Sequence, residues 1–287
     1  DKAAQVAGTR PFVFCASLAD VFDNAVPAEW RRDLFDLIRA TPNLTWLLLT
    51  KRPQNIVRLY MKAENRLFDR YGIIPASAYQ WPKNAAIGCT VVTQEEAARD
   101  IPTLLAAKAT LNPAFAFVSI EPMLGPVDLT ALDINGDGEM DALEGFEDWG
   151  FRYPPSEVKG PALDWVITGG ETDQGAHKAR PSHPDWFRSL RDQCANAGVA
   201  YHHKQNGEWA PGEIVGSVGP HKGVVPCAWG EADETWVFGS VNLTDEGHID
   251  DEPSVYRIGK KAAGRLLDGV THDARPSVAQ RELAGSE

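Results

Sequence analysis

The chain has 287 residues, of which 43% are hydrophobic and 24% are charged, a composition that argues against a disordered protein. No apolar run approaches the roughly 20 residues that a membrane-spanning helix needs, and no signal-peptide pattern opens the sequence. The net charge of −12 is concentrated in segments 131–162 and 231–252, each with eight acidic residues. The acidity of the whole chain therefore does not exclude a phosphate-bearing ligand at the main body, although the sequence shows no broad basic surface for duplex DNA.

Short apolar runs alternate with helical patterns along the first two hundred residues. Strands are predicted at 12–16, 46–50, 85–92, 114–120, 165–168 and 199–203, and helices at 27–40, 53–62, 94–108 and 184–197. Near-continuous apolar strands separated by amphipathic helices indicate a parallel sheet that is covered on both faces. No glycine-rich phosphate loop follows any of these strands, so we predict an α/β fold of the (β/α) TIM-like barrel type rather than a dinucleotide-binding sheet.

Two segments interrupt this alternation of strands and helices. We predict a barrel domain over residues 1–209, interrupted by an acidic insertion at 127–162. A loop-rich appendage follows over 210–287, with a short helix near 259–268. The sequence opens with Asp1 rather than Met, so the prediction includes a barrel that is partial at its N-terminus.

Polar residues follow every predicted strand, and ligands of parallel βα folds bind at the carboxyl ends of strands. The candidate catalytic residues are Lys51, Glu121 and Glu171, which follow three different strands. The candidate substrate-binding residues are Ser17, Asp20, Arg52, Gly169, Gly170, Lys204 and Gln205. Cations and carboxylates on one rim can fix a zwitterionic or phosphate-bearing ligand, or shift one another's pKa for proton transfer. The competing interpretation is that each is a structural cap or ion pair, because strands end in polar loops anyway.

The insertion contains a candidate calcium loop. Asp133, Asn135, Asp137, Glu139, Asp141 and Glu144 occupy the ligand positions of a twelve-residue Ca²⁺ loop, and Gly138 occupies its turn position. Carboxylate and amide oxygens are the hard ligands that Ca²⁺ prefers, but the flanking helical patterns are short. A structural Ca²⁺ site is therefore one hypothesis, and a solvated acidic loop is the other.

The four cysteines are dispersed along the chain, at Cys15, Cys89, Cys194 and Cys227. No two of them form a CxxC-type motif, so we interpret them as buried free thiols in a reducing cytoplasm. On its own this chain is expected to bind no iron–sulfur cluster, because none of the cysteines supplies paired ligands.

Seven ordered motifs make the chain resemble a phage and prophage protein family of unknown function that is similar to radical-SAM-type barrels. They are FVFCASLADVF at 12–22, LTKRP at 49–53, VSIEPMLGP at 118–126, WVITGGE at 165–171, RP with HPDW at 180–186, KQ at 204–205 and GKKAAGRLLDG at 259–269. That family typically carries an N-terminal CxxxxxCxxC motif that resembles a [4Fe–4S] site. The motif is absent from this chain, so either the sequence begins downstream of it or this member lacks it.

The resemblance implies a cytoplasmic, phage-type enzyme with its ligand pocket at the strand carboxyl ends. A [4Fe–4S] cluster and S-adenosylmethionine are implied only if a cysteine motif precedes this sequence. The ligand class stays open between a small molecule, a nucleotide and a nucleic acid, the last two being suggested by phage context. The alternative hypothesis is a non-catalytic, Ca²⁺-stabilised binding protein that retains the barrel scaffold.

Overall fold

A curled, six-stranded parallel sheet forms the centre of the molecule. The structure is a computed structural model that describes residues 1–8, 10–15, 19–64, 80–134, 138–148, 159–212, 214, 225–230, 235–238 and 254–276. The strands of the sheet, in spatial order, are β1 Phe12–Cys15, β2 Thr45–Thr50, β3 Ala85–Val91, β4 Ala116–Ile120, β8 Trp165–Gly169 and β9 Ala200–Gln205. All neighbouring pairs are parallel, so the carboxyl ends of the six strands lie at one edge of the sheet.

Amphipathic helices follow the strands and cover the outer face of the sheet. They are α2 Ala28–Ala40, α3 Ile56–Glu64 after a short 3₁₀ turn at Pro53–Asn55, α4 Gln94–Leu111 and α5 Pro184–Ala197, while α1 Lys2–Ala7 precedes the sheet. Outward strand residues such as Leu48 and Val118 pack with these helices into the largest buried cluster. Burial of both strand faces explains why the strands read as continuous apolar runs rather than as alternating ones.

The sheet curls strongly enough to bring its first and fifth strands into contact across the inner face. The Phe12 ring of β1 lies 5.6 Å from the Trp165 ring of β8, and 5.8 Å from Phe115 just before β4. Among the described residues, however, no strand joins β1 to β9. The (β/α) architecture is therefore confirmed as a half-barrel, and the part of the chain that the structure describes does not close it into a barrel.

The two edges of the sheet differ. At β9, the backbone N–H of His203 donates to the carbonyl oxygen of His272 at 3.0 Å, and His202 forms an antiparallel bridge with Asp273. The segment at 272–273 thus covers this edge. At the opposite edge, β1 pairs with β2 alone within the part of the chain that the structure describes.

Two small antiparallel sheets lie outside the half-barrel. The acidic insertion contributes β5 Leu132–Asp133, β6 Glu139–Asp141 and β7 Phe146–Asp148. The C-terminal part contributes β10 Trp209–Pro211, β11 Val225–Gly230, β12 Thr235–Phe238 and β13 Ser254–Arg257, followed by α6 Lys260–Ala263. No helix among the described residues is long and apolar enough to cross a membrane.

Candidate functional site

The inner face of the half-barrel is built in layers, with an apolar floor below a polar rim. Phe12, Phe115 and Trp165 fill the amino-terminal end of this face. The next layer contains Phe14 and Phe117, whose ring centroids lie 6.2 Å apart. Phe14 as a whole residue is 43% exposed, so an aromatic residue remains accessible on a concave surface.

Gly88 of β3 makes this aromatic layer feasible. A Cβ atom at this position would lie 2.5 Å from the Phe117 ring, which therefore occupies the space of the missing side chain. At the next inward-facing position along these strands, the paired residues are Thr90 and Ser119, which are polar rather than aromatic. The polar rim begins at this level.

Nine predicted site residues have described positions at the rim, namely Asp20, Lys51, Arg52, Glu121, Gly169, Gly170, Glu171, Lys204 and Gln205. Lys51 follows β2 directly and its side chain is exposed. Glu121 follows β4, and Lys204 lies near the end of β9. Ser17, which was predicted to bind substrate, lies outside the described residues.

Asp20 and Arg52 hold two neighbouring loops of the rim together. The Asp20 carboxylate accepts hydrogen bonds from the Thr50 hydroxyl at 2.7 Å and from the backbone N–H of Lys51 at 3.1 Å. It also accepts from the backbone of Phe22 and from the Arg52 guanidinium, at 2.9 and 3.0 Å. Since each carboxylate oxygen already accepts two hydrogen bonds, Asp20 fixes the loop that presents Lys51.

Glu171 is held by Arg180 rather than facing the other rim residues. The Arg180 side chain donates to both carboxylate oxygens, at 2.7 and 2.9 Å, and its backbone N–H donates at 2.7 Å. His177 Nε2 lies 3.2 Å from Oε1. Burial raises the pKa of the Glu171 carboxyl, but the hydrogen bonds from Arg180 and His177 outweigh burial and lower the pKa to about 2. Glu171 is therefore an anchored carboxylate that organises the loop after β8.

Glu121 and Lys204 form a pair at the centre of the rim. The Lys204 ammonium lies 3.1 Å from Oε1 of Glu121 and 3.4 Å from Oε2. The Ser119 hydroxyl donates to Oε2 at 2.9 Å. Ser119 was not among the predicted site residues, although its position two residues before Glu121 places both on one face of the strand.

Gly169 and Gly170 accommodate the protein's own atoms. A Cβ at Gly169 would lie 2.5 Å from Glu121 Oε1, and one at Gly170 would lie 2.0 Å from the carbonyl oxygen of Asn206. The sequence analysis predicted that these glycines allow a ligand to approach the backbone closely. In the structure they admit a carboxylate and a crossing backbone segment, and Gln205 Nε2 donates to the Gly170 carbonyl at 3.3 Å.

The predicted calcium loop is described only in part. Asp133 and Glu139 are opposed on the antiparallel strands β5 and β6, while Asn135 and Asp137 lie outside the described residues. The Asp141 carboxylate accepts from the backbone N–H groups of Leu143 and Glu144, both at 2.9 Å. Glu144 pairs with Lys159 at 3.4 Å. The described residues include no group of three His, Cys, Asp or Glu arranged to hold a metal.

The four cysteines occupy separate elements of the structure. Cys15 is on β1, Cys89 on β3, Cys194 on α5 and Cys227 on β11. Burial raises the pKa of all four thiols. A [4Fe–4S] cluster needs thiolates grouped around one centre, so this donor set does not fit such a cluster.

A cavity of about 190 Å³ lies away from the rim, between α5, β10 and the loop at 264–269. Its lining includes the apolar side chains of Phe187, Trp209 and Leu267. Its polar side chains are already engaged: the Ser182 hydroxyl donates to the Met123 carbonyl at 2.6 Å. The chemistry-bearing groups are therefore at the rim and not in this cavity.

One known protein family has a model that matches most of this chain. The model of the family described as "Protein of unknown function (DUF5131)" matches residues 3–276. No curated protein matches the chain. No solved structure matches it either.

Proposed function

We propose that this chain, which belongs to the DUF5131 family of proteins of unknown function, is an enzyme that binds a small polar ligand at the rim of its half-barrel. The observation that carries the proposal is the gradient along the inner face, where the accessible Phe14 ring lies below Lys51, Glu121 and Lys204. Ligand sites combine an apolar lining with a few placed polar groups in this way.

The rim residues divide into two roles. Lys51 binds an anionic group of the ligand, and Glu121 binds a donor or moves a proton. Asp20, Arg52 and Glu171 position the surrounding loops, because their charged groups are engaged within the protein. This division favours Glu121 over Glu171 as the acid–base residue.

Nucleotides are the ligand class that this arrangement favours. A base can stack on an exposed aromatic ring, and a phosphate can pair with a lysine ammonium. The resemblance to phage proteins supports the same class, since it suggests modification of nucleotides or nucleic acid in the cytoplasm. The proposal places no step on an iron–sulfur cluster, because the four cysteines of this chain lie on separate elements.

The test is calorimetric titration of the four ribonucleoside monophosphates into the protein. We expect at least one to bind, and Lys51→Ala to weaken that binding about tenfold or more, since a hydrogen bond to a charged group contributes roughly 1.5–3 kcal/mol. Lys62→Ala, which removes an exposed lysine of α3, is the matched control and should leave the affinity unchanged. Equal affinities of the Lys51 and Lys62 variants, or no binding to the native chain, would contradict the proposal.

A calcium-stabilised binding protein is the second candidate function, and the insertion hairpin favours it. Met140, between ligand positions Glu139 and Asp141, is buried in the main core, so the hairpin is anchored while the acidic positions flank it. Glu144 at the last position is partly exposed. A structural Ca²⁺ would then fix the insertion, with Asp133, Asn135, Asp137, Glu139, Asp141 and Glu144 as oxygen donors.

Calcium titration by calorimetry tests this hypothesis, with Asp133→Ala, Glu144→Ala as the double variant. The native chain is expected to release or absorb heat with one saturable site, and the double variant is expected to give none. Saturation at a hundredfold excess over Kd would stabilise the folded state by about 2.7 kcal/mol. If neither protein gives a binding heat, the calcium hypothesis is contradicted and the segment is a solvated acidic loop.

A further inference from the structure

The three carboxylates of the rim differ in how far the protein satisfies them. Asp20 accepts four hydrogen bonds, and Glu171 is held by the Arg180 fork, the Arg180 backbone and His177. Glu121 accepts one from the Ser119 hydroxyl and one longer bond, at 3.4 Å, from Lys204. A carboxylate has about four acceptor sites, so Glu121 has the largest unused capacity of the three.

The unused capacity is concentrated at one oxygen atom. The Glu121 side chain is 16% exposed, and its Oε1 atom is buried without an aligned hydrogen bond from any described residue. The Oε1 atom occupies the space that a side chain at position 169 would fill, so this position of the carboxylate requires Gly169. The Ser119 hydroxyl donates to the other oxygen, Oε2, at 2.9 Å and so restrains the orientation of the carboxylate. A buried carboxylate oxygen needs a hydrogen-bond donor or a cationic partner, and a cation lies 3.1 Å from Oε1.

Lys204 supplies that cation, and its exposed side chain can move away from Glu121. Its side chain is 56% exposed, and its ammonium lies 3.1 Å from Oε1 outside good hydrogen-bond alignment. A long, exposed lysine side chain retains many rotamers, so its hold on a partner is weak. An ammonium that approached Oε1 in good alignment would compete with it directly.

We propose that Glu121 is an ammonium-binding subsite in which Lys204 exchanges with a primary ammonium group of the ligand. This inference rests on the proposed function and names the ligand class more closely, as an amine that also carries an anionic group. Once displaced, the Lys204 ammonium is free to pair with that anionic group, as is Lys51. Amino acids and amino-bearing nucleotide conjugates have this combination of charges.

The test removes the end of the Lys204 side chain by mutation and adds the missing atoms back as a free amine. Lys204→Ala lacks three carbons and the nitrogen of the side chain, which n-propylammonium replaces. We expect n-propylammonium to bind Lys204→Ala saturably, at least about tenfold more tightly than it binds the native chain, by calorimetry and by thermal unfolding. The neutral analogue 1-propanol should not bind, and Lys204→Ala, Glu121→Gln should bind neither compound.

Each remaining outcome counts against the subsite. Equal binding of n-propylammonium to the single and double variants would overturn it, and so would an absence of binding to the single variant. Lys204→Ser provides a second background with the same readout if the alanine variant does not fold. A failure here with an intact Lys51-dependent ligand response overturns the ammonium subsite alone, whereas loss of the Lys51 effect overturns the proposed function.

Discussion

Replacing Gly170 by alanine is expected to lower the free energy of unfolding by about 3 kcal/mol or more. The new Cβ would lie 2.0 Å from the carbonyl oxygen of Asn206 and 2.6 Å from its carbonyl carbon. Both are backbone atoms, and neighbouring hydrogen bonds hold the crossing: Gly170 N–H donates to Gln205 at 2.9 Å, and Glu208 N–H donates to Glu171 at 2.9 Å. The crossing segments cannot separate without breaking these bonds, so the effect should exceed ordinary overpacking of about 1–3 kcal/mol.

Gly125→Ala is the matched control for this substitution. A Cβ at Gly125 would meet nothing within 4 Å, and the backbone there does not require glycine. Urea denaturation of the two variants should show a large fall in the midpoint for Gly170→Ala and almost no change for Gly125→Ala. Similar midpoints for both would mean that the strand-end crossing is looser than the structure shows.

Acidification is expected to destabilise the protein through His203, by about 3 kcal/mol between pH 6.5 and pH 4. The side chain is fully buried, and burial lowers its pKa from 6.5 to about 4, which the hydrogen bond to Asn206 only partly opposes. In this interval the unfolded chain binds a proton that the folded chain does not. Each pH unit therefore favours the unfolded state by about 1.4 kcal/mol, and stability is fully retained above pH 6.5.

The hydrogen bonds of His203 explain why the neutral ring is preferred. Asn206 Nδ2 donates to the carbonyl oxygens of Ala263 and Leu266, so its Oδ1 accepts from His203 Nε2 at 2.9 Å. Nδ1 is then left to accept from the Thr168 hydroxyl at 3.1 Å. A second proton on the ring would occupy Nδ1 and remove that acceptor.

Comparison of the native chain with His203→Asn between pH 8 and pH 4 checks this prediction. The variant is less stable at every pH, but its unfolding free energy should fall by about 3 kcal/mol less over the acidic interval. The region between pH 7 and pH 8, where the histidine is neutral in both states, provides the baseline. Parallel pH dependences of the two proteins would show that His203 is not the group that titrates.

The sequence predicted the half-barrel strands well because each is an apolar run bounded by polar residues. The strands β2, β3 and β8 were predicted within one residue of their observed ends, and α5 was predicted over its full length. The helix α4 extends three residues beyond its predicted end, to Leu111, where Asn112 adopts a left-handed conformation. These elements depend on local periodicity, which a single sequence contains.

The partners of the rim residues could not be predicted in the same way. The sequence showed Glu171 and Lys204 only as charged residues at strand ends. In the structure, Glu171 is paired with Arg180, and Lys204 is paired with Glu121. The four-stranded C-terminal sheet was also missed, because its strands are short and two of its three pairings, β10 with β13 and β11 with β13, join distant segments of the chain. Pairing of this kind is determined by the tertiary fold and leaves no periodic pattern in the sequence.

The connection between β4 and β8 has a consequence for how the chain tolerates change. Its two ends are fastened independently of its middle: Asp164 accepts from Ala116 N–H and from Lys108, both at 2.7 Å, and Leu124 N–H donates to Val92 at 2.9 Å. Leu129, Leu132 and Met140, in the middle of this connection, belong to the main buried cluster, so these residues are packed against the half-barrel and do not form a free loop. Substitutions at exposed acidic positions such as Glu139 and Glu144 are therefore expected to be tolerated, whereas truncation of the buried residues should destabilise the fold.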